Sequence, residues 1–401
     1  MRRARGIIHR GLVGAAALAG VFAVAGCSAD AGTAGAASSS SWEFEHVFDF
    51  HGEITDFAVL AEDDIWVAPV HVGSKSIEDN GNSKEPLLHF DGKSWQRGPL
   101  PENFGTTDSA IALHEIGDKA LWMEWHRKGA AFGVNSWAEW DGERWSAVAR
   151  PPQGSKSEHI AATGPKDVWM LVDDRTAQHW DGTRWTVTRL PYTASDLAAA
   201  GPDDVWAVGS RSTGPGTDVG SGDFYEQPAS MHWDGTSWKS VETPQYHFDE
   251  PIPPEAGAHL DQVIALDGGQ VLAYGLDSFN EGEGGKDPDE QYIRLRWEGS
   301  KWVAQKPAPG KCARLIPVAQ DDAGQFFKDN LFLTSDNRCV KIKTHRLAPS
   351  TGARKDSKQV MGPAEVHRIP GTDEWLGAGE VVVSQSGAPF SAPVVVRLKR
   401  G

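Results

Sequence analysis

Cysteine is scarce: the 401-residue chain has three, at positions 27, 312 and 339, with no Cys-x-x-Cys spacing. That absence argues against a thiolate zinc site or a dithiol redox centre. Basic side chains are also under-represented, 39 against 55 acidic ones, for a net charge of −16. Such a field repels phosphate backbones and anionic headgroups. It argues against DNA or RNA as a partner and favours cationic partners, metal ions included. No zinc-spaced histidine pair, phosphate-cradling glycine loop or Ser-His-Asp grouping stands out. Carboxylates are plentiful, but the sequence alone does not single out a catalytic pair among them. No apolar run is long enough to span a bilayer comfortably.

The stretch that comes nearest, Leu12 to Val24, follows a basic segment carrying Arg2, Arg3, Arg5 and Arg10 and ends in small residues. Together they read as a signal peptide over residues 1–26. The sequence Val24-Ala25-Gly26-Cys27 resembles the bacterial lipobox at all four positions. The resemblance implies diacylglyceryl transfer to the Cys27 thiol and cleavage before it. Loss of four arginines and no acids would take the net charge from −16 to about −20. Residues 28–41 contain only Ser, Ala, Gly, Thr and one Asp. That composition cannot bury a core and forms, with Cys27, a flexible tether over 27–41, reaching about 20 Å by random-coil scaling. The expected address is the extracytoplasmic face of the cell membrane, held by lipid. In that oxidising compartment the remaining cysteines, Cys312 and Cys339, are expected to form a disulfide worth about 3–4 kcal/mol.

Tryptophan, in contrast, is abundant at 17 residues, and it recurs. Five segments end a strand on an aromatic residue, turn, and restart on tryptophan: 89–95, 140–145, 179–185, 232–238 and 297–302. The closing tryptophans lie 50, 40, 53 and 64 residues apart, the length scale of a propeller blade. Four of the turns contain Asp-Gly, a hairpin signal because Gly accepts positive φ without steric cost. Upstream stands a second element, clearest at Asp64-Ile65-Trp66, Asp167-Val168-Trp169 and Asp204-Val205-Trp206. Each blade then parses as four strands. Five blades close on these tryptophans, residues 311–347 carry a degenerate sixth, and Glu365 to Leu398 supply three strands of a seventh. Trp42 to Phe48 looks like a fourth strand with no blade before it. The expectation is an all-β fold over residues 42–401, a β-propeller of seven four-stranded blades. Its ring closes by pairing Trp42–Phe48 with Val394–Leu398, which removes both free sheet edges. The weakly defined sixth blade leaves the count between six and eight.

These repeats resemble the secreted β-propellers of high-GC Gram-positive bacteria, near the kelch and Asp-box groups. The resemblance implies a fold and not an activity. The Ser of the sialidase Asp-box is missing, and Asp and Gly are adjacent where that motif separates them. His89, His179 and His232 share one repeat position. They sit on strand three, and strands step outward by about 4.8 Å each, so these histidines cannot converge on one ion. They are expected to bond within or between blades.

The long insertions, 72–86, 126–136, 210–229, 245–257 and 277–291, all fall on the face that carries the strand two–three loops and the blade connections. Variable loops on a rigid scaffold are where binding usually resides. The last three are acidic and interleaved with aromatics. The candidate binding residues are Tyr225, Glu226, Tyr246, His247, Asp277, Phe279, Glu281, Asp287 and Asp289. Crowded carboxylates would suit a hard cation such as calcium or a basic partner. No catalytic residue is singled out. The expected function is a membrane-anchored binding or assembly module that presents this face to an envelope protein or glycan. The competing reading is a glycan-active hydrolase or lyase with acids in the central funnel.

Overall fold

The computed structural model describes residues 40–50, 52–71, 86–107, 110–117, 119–131, 134–152, 159–212, 226–248, 256–266, 269–279 and 291–400. The signal segment, Cys27 and most of the tether lie outside the described residues.

Seven four-stranded antiparallel sheets form a ring, a seven-bladed β-propeller. The first strands of the blades face the axis, and those of blades one and two, three and four, four and five, and seven and one lie against one another. These first strands are Gly52–Ala61, Ala112–Glu115, Ile160–Gly164, Thr193–Gly201, Gly257–Ala265, Ala319–Asp321 and Lys358–Arg368. The degenerate sixth blade is complete but small, with strands of three or four residues. Blade seven closes as expected. Ser41–Val47 is its outer strand, with Trp42 opposite Leu398 and Val47 opposite Val394. The propeller starts slightly earlier than the sequence suggested: Ser40 is buried, and its carbonyl accepts the Lys343 N–H at 3.1 Å. A short strand, Lys343–Thr344, runs parallel outside it.

The Asp-Gly hairpins form for a local reason. In four of them the aspartate, Asp91, Asp141, Asp181 or Asp234, accepts the backbone N–H groups two and three residues on, at 2.8–3.0 Å. The glycine takes a φ between +81° and +96°. At Gly182 an added Cβ would also lie 2.7 Å from Lys166 Cγ. The strand-three histidines behave as expected. His89, His179 and His232 bond Asp64, Asp167 and Asp204 of their own blades at 2.8, 2.6 and 2.8 Å. Each ring also lies over its blade's tryptophan, with centroids 4.1–4.4 Å apart.

Those tryptophans seal the junctions between blades. Trp66 meets Trp140 and Trp145, Trp122 meets Trp185, Trp169 meets Trp233 and Trp238, and Trp206 meets Trp297 and Trp302. Phe326 meets Trp375 across the blade six–seven junction, and Phe48 meets Trp95 across seven–one. Large flat rings bury much apolar area and favour edge-to-face contacts, so each junction gains a dry core. Blades five and six are the exception. Leu272 stands where the repeat has Trp206, and blade six has no tryptophan. Among the described residues the apolar cluster of blades four and five stops short of blade six. Blade six has a separate small cluster, and the expected Cys312–Cys339 disulfide lies within it.

Candidate functional site

The axial strands carry polar side chains at one repeated place. A bulge interrupts the first strand between Ile54 and Asp56, Ala194 and Asp196, Leu260 and Gln262, and Pro363 and Glu365. The residue after each bulge is polar. A bulge re-aims the side chains that follow it. Strand two accommodates the bulge with glycine in blade five, where a Cβ on Gly275 would sit 1.9 Å from the His259 carbonyl oxygen.

Three axial carboxylates bond the backbones of neighbouring blades. Asp56 accepts the Leu113 N–H of blade two and its own neighbour Phe57 N–H, both at 2.8 Å. Asp196 accepts the Val263 N–H of blade five at 2.9 Å and lies 3.2 Å from His159 Nδ1. Glu115 Oε1 accepts the Val59 N–H at 2.7 Å and faces His367 Nδ1 at 2.8 Å, so it joins blades one, two and seven. His367 Nε2 lies 3.7 Å from Glu365. Burial opposes a charge on His367, but Glu115 and Glu365 outweigh it and push the imidazole up to about 10. Burial, then the Glu365 charge, push Asp56 up to about 6. A cavity of about 350 Å³ beside the axis is lined by Gln262, Lys328, Glu365 and His367, among others. The chemistry available here is hydrogen bonding to, or proton exchange with, a polar guest through Glu365 and His367.

A second cluster lies on the loop-rich face, between blades four and five. Tyr246 donates its hydroxyl to Asp277 Oδ2 at 2.6 Å, and the Gln291 N–H donates to Asp277 Oδ1 at 2.7 Å. Gln227 brackets the Tyr246 backbone, accepting its N–H at 2.7 Å and donating to its carbonyl at 3.1 Å. Glu226 bridges to Gly257, and its carbonyl accepts the Ala258 N–H. His259 lies 3.1 Å from Asp261. Its pKa is raised, first by that hydrogen bond and then by the charges of Asp261, Glu226 and Asp277.

Of the sequence candidates, the structure therefore brings together Glu226, Tyr246 and Asp277. Asp277 differs from the exposed loop acid expected. It ends the core of strand Val271–Ser278 and is only 2% exposed, because the Tyr246 hydroxyl and the Gln291 amide satisfy its oxygens. His247 is exposed and Phe279 partly exposed, and neither side chain joins these bonds. Tyr225, Glu281, Asp287 and Asp289 lie outside the described residues. Among the described residues no group of three or more His, Cys, Asp or Glu side chains is arranged to hold a metal ion. Sequence reasoning missed the axial cluster. The available signal was an acid standing just before a short apolar run, as in Asp56 before Phe57-Ala58-Val59-Leu60 and Asp196 before Leu197-Ala198-Ala199.

No protein-family model matches the sequence, and no curated protein does. Solved structures match over most of the chain. The polysaccharide lyase Uly1 is 9% identical over 90% of this chain and 92% of its own, with a TM-score of 0.47. The β-propeller domain of the Trilobed protease from Pyrococcus furiosus is 9% identical over 85% and 97%, with a TM-score of 0.43. The N-terminal domain of Nup159 is 11% identical over 90% and 96%, with a TM-score of 0.40. At these identities and TM-scores nothing in their names carries over to this chain.

Proposed function

We propose that the chain is a lipid-anchored, extracytoplasmic binding module of the bacterial envelope, which presents its loop-rich face to an envelope protein or glycan. The observation that carries this reading is the cluster of Glu226, Tyr246, Asp277 and His259 at the base of the last three insertions. It ties the ends of those insertions to the rigid blades, as a binding surface built on loops requires. The axial acids add support. Asp56, Asp196 and Glu115 hold neighbouring strands through backbone N–H groups and are occupied as ties between blades.

The reading has two tests. Cys27→Ala should release the protein from membranes into the medium, and a variant that stays membrane-bound with its signal processed rules out the lipid anchor. The triple variant Glu281→Gln, Asp287→Asn, Asp289→Asn keeps the buried Asp277 and should weaken cross-linked capture of the envelope partner. Unchanged capture would mean that the partner uses another face. Calcium is the cation these acids would suit, and millimolar calcium should then raise the thermal midpoint of the wild type but not of the triple variant.

One observation favours the competing reading of a glycan-active hydrolase or lyase. Glu365 and His367 line the axial cavity side by side, 3.7 Å apart. That reading requires glycan cleavage by the soluble domain that Glu365→Gln abolishes.

A further inference from the structure

The junction between blades five and six is where the ring exchanges its aromatic seal for a polar cleft. The cleft has a volume of about 1210 Å³ and opens on the short-turn face, opposite the loops. Its wall includes Tyr274, Arg294, Gln320, Gln325, Asn337 and Trp375. Tyr274 and Gln325 are 3% and 7% exposed. The Gln325 amide donates to the Tyr274 hydroxyl at 2.5 Å and to Gln320 Oε1 at 2.8 Å. Arg294 is half-buried. It donates to Gln325 Oε1 at 2.9 Å and to the Lys306 carbonyl at 3.1 Å.

Arg294 differs from the other arginines around the cleft. Arg296, Arg368 and Arg400 each hold a carboxylate, of Glu298, Asp373 and Asp321 respectively. Among the described residues no carboxylate lies within ion-pair distance of Arg294. A half-buried guanidinium without a counter-charge has lost part of its hydration, and an arriving anion would offset that loss. Gln325 and the Lys306 carbonyl fix the plane of the fork in advance, which suits a planar, bidentate partner.

We infer that this cleft binds a carboxylate-bearing saccharide, with Arg294 as the receptor for the carboxylate. Among the described residues Arg294 and the exposed Lys306 have no carboxylate partner and Asp322 no cationic one, which leaves the cleft one net unmatched positive charge for a singly charged, planar carboxylate. A dianion would be repelled by nearby Asp321, Asp322 and Asp373 and by a chain of net charge −16. The volume exceeds the roughly 300–1,000 Å³ of pockets for drug-sized ligands, and amides and hydroxyls line it, as a polyhydroxylated ligand needs. The site lies on the opposite face from the loop cluster and does not depend on the function proposed for that face.

The test is calorimetric titration of the mature domain with oligosaccharides that carry a single galacturonate or a single glucuronate residue, against the corresponding neutral oligosaccharides, malonate and a free-carboxylate pentaglycine. At least one uronate should bind, and its neutral counterpart should bind about ten- to a hundredfold more weakly, the worth of a charged hydrogen bond. Arg294→Lys keeps the charge but loses the fork, and should weaken uronate binding by about tenfold or more. If that variant does not fold, the wild type still decides. Bound uronate must protect Arg294 from phenylglyoxal, read by peptide mass spectrometry. No binding by either uronate, equal binding of the neutral sugars, or unprotected Arg294 overturns the proposal. Malonate or pentaglycine binding as tightly as any uronate overturns the saccharide assignment.

Discussion

Glu115 is the residue on which the axis turns. One oxygen accepts a backbone N–H from blade one and faces an imidazole from blade seven, so a single side chain from blade two joins three blades. His367 is raised from its ordinary 6.5 to about 10, which sets the sign of its contribution. The folded state binds the proton more tightly than the unfolded chain. The stabilisation is therefore complete below about pH 6.5 and is lost as pH rises through 10. Glu115→Gln should cost about 1.5–3 kcal/mol near neutrality, as for loss of a hydrogen bond to a charged group. The gap to the wild type should shrink towards pH 10, and the His367 titration followed by NMR should move down in the variant. A gap independent of pH would mean that Glu115 acts only through Val59. Asp56 works in the opposite direction. Its pKa is raised from 3.8 to about 6, so its ionisation costs stability above pH 6, and the cost is relieved as pH falls towards 3.8.

Among the strands, Ser41–Val47 has the largest consequence for its length. It pairs with Phe390–Lys399 and places Trp42 in a core with Phe326, Trp375 and Val394. Removing residues 42–49 would expose the edge of blade seven and remove a buried tryptophan, which alone is worth about 3–5 kcal/mol. The deletion should aggregate or lose cooperative unfolding in denaturant, and a soluble, cooperatively folding deletion would remove the closure argument. This strand was legible in the sequence because it has strand-four character without a blade, and the hairpins were legible because Asp-Gly and Trp mark both ends of a turn. The axial cluster was not. Strand periodicity shows which residues share a face, but a bulge shifts the phase by one residue, and Asp56, Asp196 and Glu365 all follow a bulge. The partnership of Tyr246 with Asp277 was hidden for a different reason: the two lie 31 residues apart, on either side of strand Gly257–Ala265, and Tyr246 stands in an insertion that no periodicity describes.

Across the whole ring, stability is uneven, and the unevenness follows the tryptophans. A propeller holds each blade by contacts with its two neighbours, so a junction without an apolar core is a local minimum of stability. Blade six meets blade seven through Phe326, Phe332 and Trp375, but it meets blade five through glutamines, a tyrosine and an arginine. The Cys312–Cys339 disulfide does not compensate. It joins Gly310–Arg314 to the outer strand Cys339–Lys341 and stays on the blade-six side of the junction. The strands of blade six are also short and contribute few ladder bonds. Opening should therefore start there, with blade six and the facing strands of blade five parting while blades one to four stay closed. Hydrogen exchange of the mature domain, read by mass spectrometry, should show amides of 292–297 and 319–341 exchanging at least about tenfold faster than those of 167–180 and 204–211, a gap of about 1.4 kcal/mol in local opening. Uniform protection around the ring would mean that the polar network at this junction holds as firmly as the tryptophan seals.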